Sequence, residues 1–227
     1  VFDIGVGTRQ ALYKIKNGAK AVQAGGTTED SNGNGSLMRI LPLIFYSKDK
    51  PISERFELTK QVSSVTHRHI RSVMACFYYL EFAKHLIEGK DKLEIYKDLQ
   101  KSMPQFFTEQ GVEQTEIAHF DRIINQDISK LAEDKIQSGG YVIDTLEASL
   151  WCLLTTNDFP SAVLKAVNLG RDTDTTAAVT GGLAGLHYGF EAIPSKWVSA
   201  LARKGDIEEL AGKFRNAYYF LPNLESN

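Results

Sequence analysis

The run Leu169-Gly-Arg-Asp-Thr-Asp-Thr-Thr-Ala-Ala-Val179 decides the fold. The setting of Asp172-Thr-Asp174-Thr-Thr176 is read from its flanks. Ser161–Leu169 has helical spacing and closes on Asn168-Leu-Gly, and Thr175–His187 is Ala-rich and helical in pattern. A helix start is expected. One Asp or Thr is enough to accept from the free amides of a first turn. Here Asp172, Thr173, Asp174, Thr175 and Thr176 place oxygens together, more than capping requires. Two close carboxylates repel unless a cation sits between them, and hard oxygen donors of this kind suit Mg2+, Mn2+ or Ca2+. Metal site and plain capping both remain open from these residues alone.

The helix that follows contains Gly181, Gly182 and Gly185. Each interior Gly costs roughly 1 kcal/mol against Ala, so three cost about 3 kcal/mol. Such a helix is expected to need close backbone approach. Outward from it, helical spacing recurs along the chain. Thr8 can cap a helix to Asn17. Residues 19–35 read as a loop. Leu37–Tyr46 is apolar, with Pro42 bending or interrupting it. Ser53 opens the next helix. Ile70, Val73, Met74, Phe77, Leu80 and Lys84 share a face up to Gly89, and Asp91–Lys101 is a shorter helix. Pro104 to Gly111 reads as loop. Ile117, Phe120, Ile123 and Ile124 form another apolar face. Tyr141–Leu154, Ser161–Leu169, Ser195–Lys204 and Ile207–Tyr218 complete the set. Period-2 alternation and internal repeats are absent. The fold class is all-α, a single compact multi-helix domain over residues 1–227 with about ten helices.

Composition agrees. The 227 residues are 43% apolar and 24% charged, ordinary for a globular chain. Lys+Arg 26 against Asp+Glu 28 leaves −2, which argues against a nucleic-acid partner. No apolar run approaches the roughly 18 residues of a membrane span. Cys76 and Cys152 lie among apolar neighbours and read as buried free thiols, so a reducing, cytoplasmic location is expected. The first residues show no signal peptide, and the chain begins at Val1, as a processed or partial product would.

A second segment carries chemistry. Ser31-Asn-Gly-Asn-Gly-Ser-Leu-Met-Arg39 alternates Gly, which exposes backbone amides and permits positive φ. Ser36 is placed to cap the Leu37 helix, and amides at a helix start attract phosphate. A plain Asn-Gly turn is the other reading. His67 and His69 open the Ile70 helix. Their spacing puts them on different faces, so they cap and lie on the surface, or His67 faces a pocket. Gly139-Gly-Tyr141 reads as a turn or a pocket lip.

Together these segments resemble the ADP-ribosylglycohydrolase family, which includes the dinitrogenase reductase-activating glycohydrolases. Gly170-Arg-Asp-Thr-Asp-Thr-Thr-Ala-Ala-Val-Thr-Gly-Gly-Leu-Ala-Gly185 looks like its carboxy-terminal metal motif. Asn32-Gly-Asn-Gly-Ser-Leu-Met-Arg39, Thr66-His67 and Ser138-Gly-Gly-Tyr-Val-Ile-Asp-Thr-Leu-Glu-Ala-Ser-Leu-Trp151 resemble three further blocks in the family's order. The resemblance implies an all-α, metal-dependent hydrolase that removes ADP-ribose from modified proteins or related small ADP-ribosyl compounds. It implies a binuclear Mg2+ or Mn2+ centre with Asp172, Asp174 and Thr175 as ligands. It places Asn32, Gly33, Asn34, Gly35, Ser36 and His67 along the ADP-ribose site, and Gly140, Tyr141 and Val142 near the nucleoside end. No catalytic residue is assigned.

One departure bears on activity. Family members carry an upstream Gly-Asp-Ala-x-Gly stretch and a Thr-Asp-Asp cluster that complete the metal site. Nothing matches them here; Thr28-Glu29-Asp30 is nearest, but it abuts the Asn-Gly loop. The expectation is a chain lacking the family's amino-terminal part, which binds at most one metal weakly and hydrolyses ADP-ribosyl substrates poorly. An inactive ADP-ribose-binding remnant is the alternative. A haloacid-dehalogenase-type phosphatase, with Asp172 as nucleophile, would need a strand before Asp172.

Overall fold

Two stretches are buried on nearly every side. Fourteen of the 18 residues of Ile70–Ile87 and twelve of the 13 residues of Val142–Leu154 are shielded from solvent. A helix buried all round lies at the centre of a bundle, wrapped by amphipathic neighbours. The computed structural model describes residues 4–220. Residues 1–3 and 221–227 of the expected domain lie outside them.

In chain order the helices are α1 (Val6–Lys16), α2 (Leu37–Ile40), α3 (Leu43–Ser47), α4 (Ile52–Ser64), α5 (Ile70–Ile87), α6 (Lys92–Glu109) and α7 (Gln114–Ala118). There follow α8 (Asp121–Asn125), α9 (Val142–Leu154), α10 (Phe159–Asn168), α11 (Thr173–Tyr188), α12 (Ser195–Ala200) and α13 (Lys204–Phe220). Among the described residues there is no strand, only isolated bridges at Gly26–His67 and Gly33–Tyr141. The chain is all-α, and the strand that a phosphatase reading needs before Asp172 is the helix α10. The core pairs α5 with α9; α11 packs across both and against α10, and α4 and α6 flank α5.

Several boundaries differ from the sequence reading, each for a physical reason. Thr8, Ser53 and Ser36 do not cap by side chain: α1 and α4 begin earlier, after Gly5 and Pro51, and Ser36 is turned inward toward Cys76 Sγ at 3.4 Å. Caps that do form are Asp91 on α6, accepting from Leu93 N at 2.8 Å, and Asp158 on α10, accepting from Ser161 N at 2.7 Å. Pro42 breaks the apolar stretch into α2 and α3 as expected. Residues 104–109 are helix instead of loop. Phe106 and Phe107 insert into an aromatic cluster with Phe56 and Phe77, whose ring centroids lie 5.1–6.2 Å apart. That burial outweighs the roughly 3 kcal/mol a helical Pro costs. The expected Ser195–Lys204 helix stops at Ala200, where Leu201 turns extended and Arg203 takes a φ of 59°.

Of the three α11 glycines, Gly182 alone meets a wall. A Cβ there would lie 2.5 Å from Tyr79 Oη and 2.7 Å from Leu41 Cδ2. Tyr79 Oη donates to Val179 O at 3.0 Å, which locks α11 onto α5 and fixes where the start of α11 lies.

Candidate active-site cleft

The starts of α1, α2 and α11 surround a cleft of about 800 Å³. The turn into α11 is sharp, with Gly170 at φ 78° and Arg171 at φ 59°, a left-handed conformation that costs a non-Gly residue about 1 kcal/mol. Asp172 N then donates to Ser138 O at 3.1 Å. The Asp172 side chain makes no capping hydrogen bond with α11. Its Oδ2 instead accepts from Asn34 Nδ2 at 2.7 Å. Asp172, Asp174 and Thr175 all line the cleft.

The facing wall is the Asn-Gly loop. Gly33, Asn34 and Gly35 line the cleft, and the same Asn34 Nδ2 reaches Thr145 Oγ1 of α9 at 2.9 Å. Behind this wall, Asn34 N donates to Gly140 O at 3.0 Å and Val142 N to Asn32 O at 2.9 Å. Asn32 is further pinned by Ser72 Oγ at 3.1 Å. Asn32, Ser36, Gly140, Tyr141 and Val142 are therefore placed behind or beside the wall, whereas Gly33, Asn34, Gly35 and His67 form its surface. A Cβ on Gly140 would lie 3.4 Å from Asp172 Oδ2.

His67 and His69 part company. His69 caps α5, its Nδ1 accepting from Arg71 N at 3.3 Å. His67 is 6% exposed and turns one ring edge toward Gly7, Gly33 and Gly35. Neither Gly33 nor Gly35 has a positive φ. At Gly35 the imidazole leaves no room: a Cβ there would lie 2.7 Å from His67 Cε1, whereas a Cβ on Gly33 would lie 3.4 Å from Nε2. Burial, followed by the nearby Arg39 charge, pushes the His67 pKa down to about 4, so the ring is neutral at ordinary pH.

Among the lining residues that sequence reasoning missed are Gly7 and Thr8 at the start of α1, Asp30, and Arg39. Arg39 ends the Asn-Gly block, and Asp30 lies just before it. Nothing in spacing marks Gly7 or Thr8; only the tertiary fold brings α1 here.

Asp172, Asp174 and Thr175 suit a hard divalent cation in donor type, and the Asp172 carboxylate is not consumed by capping. Their number covers part of an octahedral shell. Among the described residues no group of three or more His, Cys, Asp or Glu could hold a metal ion.

An all-α bundle with a cleft between a Gly-rich loop and an acidic helix start is the architecture of a candidate ligand-binding site. The family model for ADP-ribosylglycohydrolase matches residues 1–221, and the chain belongs to the ADP-ribosylglycohydrolase family. It is 31% identical over 97% of its length to the ADP-ribosylarginine hydrolase Tri1 of Serratia proteamaculans (strain 568) and 35% identical over 92% to that of Pseudomonas putida (strain GB-1). The ADP-ribosyl-[dinitrogen reductase] glycohydrolase of Rhodospirillum rubrum is 31% identical over 80% of the chain. These alignments cover 56%, 53% and 54% of the respective relatives, so the chain spans about half the length of the curated relatives it matches. A solved structure described as an ADP-ribosylglycohydrolase-related protein complex superposes with a TM-score of 0.74 at 28% identity, over 91% of this chain and 67% of that one. Among the described residues no helix is long and apolar enough to cross a membrane.

Proposed function

We propose that this chain supplies the ADP-ribose wall and one carboxylate wall of a metal-dependent hydrolase that removes ADP-ribose from modified proteins or related ADP-ribosyl compounds. The observation that carries the reading is the 2.7 Å hydrogen bond from Asn34 Nδ2 to Asp172 Oδ2, which ties the Gly-rich loop to the acidic helix start across one cleft. A cleft of about 800 Å³ suits a dinucleotide-sized ligand. The names of the relatives at 31% and 35% identity favour arginine over serine as the acceptor.

In this reading Gly33, Asn34, Gly35 and His67 bind and orient the ADP-ribosyl group, and Asn32, Ser36, Gly140, Tyr141 and Val142 keep that wall rigid. Asp172, Asp174 and Thr175 would hold Mg2+ or Mn2+. When bound, the cation would orient ribose hydroxyls and water. Asn34 holds Asp172 in place by a charge-assisted bond, which is stronger than a neutral one. Cys76 and Cys152 are buried free thiols, in keeping with a reducing, cytoplasmic location.

A second reading, ADP-ribose binding with slow turnover, is favoured by one observation: among the described residues no group of three or more His, Cys, Asp or Glu is placed to hold a metal ion, and a binuclear centre takes more hard ligands than Asp172, Asp174 and Thr175 supply. The test measures ADP-ribose release from ADP-ribosyl-arginine and ADP-ribosyl-serine by the 227-residue chain in excess Mg2+ or Mn2+, beside Asp172→Ala and Asp174→Ala. Robust turnover that both substitutions abolish supports the hydrolase. Saturable ADP-ribose binding with little turnover supports the second reading. Neither binding nor turnover refutes both.

A further inference from the structure

The edge of His67 away from the cleft is held by a short chain of hydrogen bonds. Nδ1 lies 2.8 Å from Thr66 Oγ1. That hydroxyl oxygen accepts from Arg39 Nη2 at 2.8 Å, and the same Nη2 donates to Val62 O at 3.0 Å. A guanidinium has donors and no acceptor, so the Arg39–Thr66 bond runs one way. The Thr66 hydroxyl has one proton left to place, and His67 Nδ1 is its remaining partner among the described residues. The hydroxyl therefore donates to Nδ1. A neutral imidazole carries a single N–H, so its proton sits on Nε2, the nitrogen that faces Gly7, Gly33 and Gly35.

We infer that Arg39 and Thr66 are positioning residues that hold His67 in its Nε2–H tautomer, so that the cleft is offered a fixed, uncharged N–H donor for a phosphate or hydroxyl oxygen of the bound ligand. The ligand half of this inference rests on the ADP-ribosyl reading of the cleft; the tautomer half does not. Because the ring stays neutral down to a pKa of about 4, tautomer and not charge decides what faces the ligand. The opposite tautomer would aim a bare lone pair at an anionic oxygen and repel it. The close approach of Gly33 and Gly35 to the same edge lets ligand atoms reach Nε2, where a side chain would cover it.

Nitrogen-15 shifts of the imidazole ring distinguish a protonated nitrogen from a bare one. They are measured on the ligand-free 227-residue chain, with His67→Gln to assign the signal. The native ring is expected to show a bare Nδ1 and a protonated Nε2. Thr66→Val should give mixed tautomers, Thr66→Ser should restore the native pattern, and Arg39→Met should shift it partway. If Thr66→Val does not fold, Arg39→Met, which keeps Thr66, reads the same change. ADP-ribose affinity, measured by calorimetry, should fall about tenfold (~1.4 kcal/mol) in Thr66→Val and recover in Thr66→Ser, a pattern that loss of packing alone would not give. A proton on Nδ1 in the native ring, or an unchanged ring in Thr66→Val, overturns the relay. The expected tautomer in a chain that does not bind ADP-ribose supports the relay and refutes the ligand reading instead.

Discussion

Replacing Gly35 by Ala probes the cleft wall where it is tightest. The new Cβ would lie 2.7 Å from His67 Cε1, 3.3 Å from Nε2 and 3.4 Å from Thr8 Oγ1. Carbon atoms in contact prefer about 3.5–4.0 Å, so the overlap approaches 1 Å. The imidazole cannot swing away freely, since its far side is held by Thr66 at 2.8 Å and it is 6% exposed. If the ring yields, that hydrogen bond is lost, at about 1 kcal/mol. If the loop yields, the Asn34 bonds to Asp172 and Thr145 stretch instead. Overpacking adds typically 1–3 kcal/mol. The expected loss of stability is therefore about 2–4 kcal/mol. At roughly 2–4 °C per kcal/mol for a chain of this size, the melting temperature should fall by about 5–15 °C. Scanning calorimetry and ADP-ribose titration on the same samples would read it, with affinity down about tenfold (~1.4 kcal/mol) as the wall moves. A Gly35→Ala chain that melts with the parent and binds ADP-ribose equally well would refute the packing argument.

Three further outcomes are expected. Gly182→Ala should destabilise by about 1–3 kcal/mol through its clash with Tyr79 and Leu41, whereas Gly185→Ala, with open space around its Cβ, should stabilise by about 0.5–1 kcal/mol; urea unfolding of the pair checks the contrast. The His67 pKa lies at about 4 in the fold against the ordinary 6.5, so the unfolded chain takes up the proton first as pH falls. Stability from this group is complete above about pH 6.5 and is lost between there and about pH 4, by ~3 kcal/mol at most, and His67→Gln should flatten the stability–pH profile in that window. Asp172→Asn keeps an oxygen for Asn34 but removes the charge, so Mn2+ affinity by electron paramagnetic resonance should drop at least tenfold (~1.4 kcal/mol or more) with little change in melting temperature.

The fold was legible wherever helical spacing coincided with burial, above all in α5, α9 and α11. It was less legible where tertiary packing overrode a local signal. Pro104 should end α6, yet Phe106 and Phe107 carry the helix onward because their aromatic partners come from α4 and α5, far away in sequence. The capping residues misled for a similar reason: Ser36 finds Cys76 in the interior, forty residues away, instead of its own helix start. In the cleft, the Asn-Gly loop and the Asp172 turn were visible as clusters of polar and small residues. The reason for Gly35 was not, since it is the His67 ring and not a positive φ. Nor was the contribution of α1, whose Gly7 and Thr8 reach the cleft only through the fold.

The central claim is that the Gly-rich loop and the start of α11 are two walls of one ADP-ribose site. Calorimetric titration of ADP-ribose into the 227-residue chain with saturating Mn2+, repeated for Gly35→Ala on one wall and Asp172→Ala on the other, tests it most directly. The account predicts one binding site, weakened at least tenfold (~1.4 kcal/mol or more) by each substitution alone. Binding that survives at full strength with either wall altered would contradict it.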